Sequence, residues 1–193
     1  EKLDKKGQIF TYEMKLTLRK FHKYISLIVS IQLLLWTISG IYFSFNKIEN
    51  VRGEQYRIEK KVSSPNEKEQ TKMLSREEAK KIVSLKTTLT PIQSLLVDEE
   101  VRGSEFRGRN LPLYKVVSEN EEGKKINVYI DPFTGEVSAI RSLQWRIWDF
   151  MWGVHIMDWV ERDNIDNLWL KVFSFIALFT SLSGIILFFN RRT

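Results

Sequence analysis

Two long stretches without interior charge constrain this chain more than anything else in it. Residues 24–45, YISLIVSIQLLLWTISGIYFSF, contain no charged residue and no proline, and at about 1.5 Å per residue they reach across a bilayer core of about 30 Å. Residues 168–189, LWLKVFSFIALFTSLSGIILFF, are equally apolar apart from Lys171. That lysine lies near one end, where its stem can carry the ammonium to the interface. A chain with two such segments is expected to form a membrane hairpin with everything between them as one loop. The mean hydropathy of -0.25 reads like that of a soluble protein only because it averages two apolar spans with a highly charged middle.

The first span is longer than the apolar core of a signal peptide, and no small-x-small cleavage site follows it, so it is expected to stay in the mature chain. Lys15, Arg19, Lys20 and Lys23 precede it and Arg191 and Arg192 follow the second span, while Asp158, Glu161, Asp163 and Asp166 lie on the approach to the second span. The positive-inside rule then places both termini in the cytoplasm and the loop outside, since long loops translocate largely regardless of charge. The net charge of +6 is spread along the chain rather than gathered into a stripe, which argues against nucleic acid as a partner. The chain has no cysteine, which excludes disulfides and thiolate metal sites.

The segments follow in order. Residues 1–23 read as a basic cytoplasmic arm, frayed up to Thr17, and 24–45 as the first transmembrane helix. Gly40 and Ser44 make a small-xxx-small pair in this helix, and Thr180 and Gly184 another in the second; both suit close helix packing in lipid. His22 and Gly40 are eighteen positions apart, about five turns, which places them on one face with Ser26, Val29 and Leu33. Ser39-Gly40-Ile41 and the residues after it resemble Ser183-Gly184-Ile185 and the residues after it, both runs ending in Asn and a base. Because the spans cross in opposite directions, this is the pattern of an inverted duplication.

Residues 46–140 are expected to form one small extracytoplasmic domain. Residues 56–62 alternate like a short strand, and residues 63–70 read as a linker. Ser75 with Glu78 makes a capping box ahead of an amphipathic run, so a helix is expected from Ser75 to before Thr90-Pro91. Strands are expected at 92–98, 113–119 and 125–131, with a last short one at 136–139. Asp131-Pro132-Phe133-Thr134-Gly135 reads as a tight turn. This order gives an α+β fold, a helix on one face of a small antiparallel sheet. Residues 141–167 form an interfacial helix and connector, 168–189 the second transmembrane helix and 190–193 a cytoplasmic tail. At 100° per residue, Trp145, Trp148, Trp152, His155 and Trp159 fall within about 80° of one another, the pattern of a helix lying on the outer membrane surface with its tryptophans at the interface.

The helix start Ser75-Arg76-Glu77-Glu78-Ala79-Lys80-Lys81 and the turn Tyr129-Ile130-Asp131-Pro132-Phe133-Thr134-Gly135-Glu136-Val137 resemble the two signatures of a PepSY domain. With Arg19-Lys20-Phe21-His22 before the first span, His155 before the second and both spans carrying Ser-Gly-Ile, nearly the whole chain resembles the PepSY-associated transmembrane family. The resemblance implies a bacterial inner-membrane protein with a periplasmic central domain. Larger members of that family carry more spans and include ferric-siderophore reductases that hold b-type haems on membrane histidines, so it also implies haem b on His22 and His155. One iron needs both of its imidazole nitrogens at about 2 Å, whereas these two lie at opposite leaflets. A homodimer resolves this, each histidine pairing with its twin in a four-helix bundle.

Three functions are carried forward from the sequence. The first is a haem-bearing electron-transfer subunit, homodimeric or within a larger membrane complex. The second is a membrane-anchored binding or regulatory module for a peptidase or envelope partner, and the third an accessory subunit of a larger complex. The loop VRGSEFRGRNLP carries Arg102, Arg107 and Arg109, suited to an anionic partner. No nucleophile triad, carboxylate pair or phosphate loop is present, so no catalytic residue is expected.

Overall fold

A computed structural model describes residues 5–58 and 72–189. Helix α1 runs unbroken over Lys5–Phe45 and helix α5 over Leu168–Phe189. Their apolar segments, Arg19–Phe45 and Leu168–Phe189, reach mean hydropathies of 1.8 and 2.3 over their most apolar 18 residues. The second span has the bounds expected from the sequence. The arm before the first span is not frayed: it is helical from Lys5 onward. Residues 5–23 contain no proline and many good helix formers such as Lys, Leu, Met and Glu, and the apolar helix behind them supplies the nucleus, leaving only propagation.

Between the spans, a short helix α2 (Ile48–Val51) and a 3-10 turn (Glu54–Tyr56) lead to helix α3 (Arg76–Lys86) and then to strands β1 (Thr90–Val97), β2 (Leu113–Glu119), β3 (Lys125–Ile130) and β4 (Val137–Arg141). Of the strand expected at 56–62, the described residues show one bridge, Arg57 to Thr87; residues 59–71, with the linker, lie outside the described residues. The four strands form an antiparallel meander in the order β1-β2-β3-β4. In α3 the Ser75 hydroxyl accepts from the Glu78 amide while the Glu78 carboxylate accepts from the Ser75 amide at 2.7 Å. Such a box contributes about 1 kcal/mol, and it draws the Glu78 carboxyl below its ordinary pKa through those Ser75 hydrogen bonds. Ala79 and Val83 of α3 pack on Val116, Ile126, Val128, Ile130 and Ile140 on one face of the sheet. Phe106, from the long β1–β2 loop, packs on Leu113, Tyr129 and Ala139 on the other.

The β3–β4 turn takes the expected form. Asp131 Oδ1 accepts from the amides of Phe133 and Thr134, at 2.8 and 3.0 Å, and Gly135 has φ +67, a conformation open to glycine at little steric cost. A Cβ on Gly135 would stand 3.0 Å from the Ile82 side chain, so the turn also carries the seam between the sheet and α3.

Helix α4 spans Leu143–Ile156. Its tryptophans do not share one face. Trp148, Trp152 and His155 pack around Phe43 of α1, with ring centroids 5.3, 6.2 and 5.6 Å away. Trp145 is buried on the sheet side, 4.3 Å from the Arg141 guanidinium, and Trp159 lies beyond the helix, which ends where Met157 turns left-handed. The register of α4 runs backward along α1: Gln144 bonds Asn46, whereas the His155 carbonyl accepts from Trp36.

The inward face of α1 also differs from the straight-helix expectation. His22, Val29, Trp36 and Phe43 recur every seventh residue, interleaved with Ile25, Gln32 and Ser39, and all are at least partly buried. Leu33 and Gly40 point outward. An ideal helix drifts about 20° per heptad against a seven-residue repeat, so a face kept against partner helices for several turns follows the heptad.

Candidate functional site

Each histidine is held by the serine of the opposite Ser-Gly-Ile repeat. His22 Nδ1 lies 2.7 Å from Ser183 Oγ, and His155 Nδ1 lies 2.8 Å from Ser39 Oγ. A serine hydroxyl has a single proton to donate. In Ser183 it is directed to the Thr180 carbonyl at 2.9 Å, and in Ser39 to the carbonyls of Leu35 and Trp36 at 2.9 and 3.0 Å. Where the serine oxygen accepts from Nδ1–H, Nε2 is left bare, the form in which imidazole binds a metal while its other nitrogen is anchored by a hydrogen bond. Among the described residues His155 Nε2 has no hydrogen-bond partner, and His22 Nε2 meets only the Ser26 hydroxyl at 3.3 Å.

The surroundings of the two rings are apolar and close. His22 borders a cavity of about 380 Å³ whose other walls include Phe21, Ile25, Ile176 and Phe179. A Cβ at Gly184 would stand 3.3 Å from His22 Cε1, so the glycine gives the ring its room, and Thr180 on the same face lines the cavity. His155 lies nearly parallel to Trp152, at 9° and 6.3 Å between centroids. Burial lowers its pKa below the ordinary histidine value, which favours the neutral ring. The two rings sit at different levels. Ser39, which holds His155, is seventeen residues along α1 from His22, about 25 Å at the helical rise. Gln32 lies on the same face between them, 7% exposed, its amide nitrogen without a partner among the described residues. No cluster of three or more His, Asp or Glu side chains able to hold a metal occurs among the described residues.

The other face of α4 carries a polar cluster. Asp149, 3% exposed, is paired with Arg107 and, at 3.0 Å, with Arg162. Glu105 accepts from Arg146 at 2.5 Å, Asn127 at 2.6 Å and Tyr129 at 3.1 Å. Burial alone would raise the Glu105 pKa, but those hydrogen bonds outweigh it and hold the carboxyl below its usual range; the same burial and the adjacent carboxylate push the Tyr129 phenol up. The three arginines of the β1–β2 loop therefore part company. Arg107 is engaged by Asp149 and the Arg162 carbonyl, exposed Arg102 stands 3.6 Å from Glu161, and Arg109 is exposed without an ion pair among the described residues.

The small-residue pairs separate too. Thr180 and Gly184 face α1, whereas Gly40 and Ser44 are exposed and a Cβ on Gly40 would meet nothing within 4 Å. Sequence reasoning named both histidines but not Ser39, Ser183, Glu105 or Asp149. The serines were signalled by their matched places in the repeat, and Asp149 by being the single acid in a helix rich in apolar and aromatic residues. No curated protein and no solved structure is significantly similar to this chain. The model of the family described as the PepSY-associated TM region does match, over residues 19–193, and both spans, both histidines and the sheet lie within it: the chain belongs to the PepSY-associated transmembrane family.

Proposed function

We propose that the protein is a haem-bearing electron-transfer subunit of the bacterial inner membrane, with its sheet domain on the periplasmic side. The observation that carries this reading is the matched pair of imidazoles, each anchored through Nδ1 to a serine of the Ser-Gly-Ile repeat. The donor set fits haem one imidazole at a time: two serine-anchored imidazoles, apolar walls and a bordering cavity at His22, and aromatic packing at His155. With about 25 Å between their levels, the two rings cannot share one iron. Two copies of the chain bring two His22 rings to one level and two His155 rings to the other.

Haem, when bound, supplies a one-electron couple. The chain's own part is to present Nε2, to hold each ring through Ser39 or Ser183, and to exclude water with Phe43, Trp148 and Trp152. In this reading a donor on the His22 side gives one electron and a ferric acceptor on the His155 side takes it. The test is the visible spectrum of the detergent-extracted protein supplied with haem, oxidised and reduced. A Soret band is expected, weakened in His22→Ala and in His155→Ala; its absence, or haem content unchanged in both variants, defeats the proposal.

A second reading has its own support. Strand β1 is an open edge that exposes Ile92, Leu95 and Leu96, a surface to which an extended segment of a peptidase or envelope partner can add as a strand. Crosslinking in native membranes separates the two, because a homodimer and a hetero-complex differ in mass.

A further inference from the structure

A second cavity, of about 470 Å³, opens beside the polar cluster where α1 has given way to α2, walled by Arg52, Arg57, Arg109, Arg141, Glu54 and Trp148 among others. Four guanidiniums against a single carboxylate make its lining strongly cationic. None of the four lies within 4 Å of a carboxylate among the described residues. They come from separate parts of the chain: Arg52 follows α2, Arg57 the 3-10 turn, Arg109 the β1–β2 loop, and Arg141 ends β4. The fold thus gathers what the sequence keeps apart.

Arg141 is the built part of this wall. It is 9% exposed, its Nε donates to the Glu105 carbonyl at 2.8 Å and its Nη1 to the Ile140 carbonyl at 3.3 Å. Its plane rests on Trp145, and no described partner takes its Nη2. Burial, and after it the charge of Arg109, push its pKa down to about 10; guanidiniums placed to repel one another are relieved by an anion between them. Similarly Arg57 spends one nitrogen on the Val137 carbonyl at 3.0 Å and keeps the rest. Arginine forks match the paired oxygens of phosphate. Ile48 and Val51 complete the wall just past the end of the first span, and Trp148, which also packs on Phe43, ties the cavity to that span.

We propose that this cavity binds a phosphate group, either the headgroup of an anionic phospholipid or a free phosphate. The site is independent of haem binding, since neither imidazole lines it. The experiment follows thermal unfolding of the full chain in nanodiscs of phosphatidylcholine alone, of phosphatidylcholine with phosphatidylglycerol, and of phosphatidylcholine with added inorganic phosphate. A raised midpoint with phosphatidylglycerol identifies the lipid source, and one with inorganic phosphate the soluble source. In either case Arg109→Gln should weaken the apparent affinity by about tenfold or more, the loss expected for one charge-assisted hydrogen bond, and added salt should weaken it further. Arg102→Gln, on the same loop but outside the cavity, should leave it unchanged. Arg52→Gln offers a second exposed position should Arg109→Gln fold poorly. The proposal fails if neither probe raises the midpoint of the wild-type chain. It fails equally if the rise survives in Arg52→Gln/Arg109→Gln, or if succinate stabilises where phosphate does not.

Discussion

Ser39 and Ser183 show how much a small hydroxyl can decide. Each bonds an imidazole Nδ1 on one side and a helix carbonyl on the other, so its removal leaves a half-buried ring free to change tautomer or turn. Ser39→Ala is expected to weaken haem binding at the His155 level by about 10–100-fold, the usual cost of losing such a partner, and Ser183→Ala to do the same at the His22 level. Haem titration followed by absorption reads both, and Ser39→Thr, which keeps the hydroxyl, should restore binding. His155 makes a second prediction. Burial depresses its pKa, so the unfolded chain takes up its proton at a higher pH than the folded one. Stability from this group is therefore complete above about pH 6.5, the unfolded value, and is lost as pH falls through and below it. His155→Gln removes that titration. The gap in unfolding midpoint between the two proteins should be constant above that pH and narrow below it; a gap that stays flat under acid refutes the assignment.

Among the elements, α4 is the one that joins everything else, and it was the least legible. The bounds of α5, the capping box of α3 and the strand at Leu113–Glu119 follow from hydropathy, spacing and composition, because there one local pattern decides the structure. The helix of tryptophans reads as amphipathic from spacing alone, yet its tryptophans divide between α1 and the arginine cluster while Leu143, Ile147 and Phe150 are left exposed, and periodicity cannot tell lipid from protein as the covering phase. The inward face of α1 was half legible for a related reason: a straight-helix count is right for His22, Ser26 and Val29, and drifts off by Gly40 as the heptad takes over. The serine contacts join residues far apart in sequence and needed the fold. Asp149→Ala tests the joint directly. It strands Arg107 and Arg162 beside a helix that buried them, and should cost about 3–5 kcal/mol in reversible denaturation, with the near-ultraviolet signal of Trp145 changing together with it. In the β3–β4 turn, Gly135→Ala should cost about 1–2 kcal/mol from the positive φ, plus what Ile82 yields to the new methyl.

For the whole molecule, the two small-residue faces make opposite predictions. Gly184 is filled from within by His22, so Gly184→Ile should disturb the chain's own packing and displace that ring. Gly40 meets nothing, so Gly40→Ile should leave thermal stability within about 0.5 kcal/mol, as for surface changes generally, and yet abolish a homodimer that packs on this face. Sedimentation in detergent distinguishes a lost dimer from a damaged protomer. One property of α4 reaches furthest. It is clamped to the first span through His155 and Phe43, and to the β1–β2 loop, which lies on the sheet, through Asp149 and Arg146. The sheet domain and the half-buried ring thus ride on one helix, and a force that tilts the former levers the latter out of register.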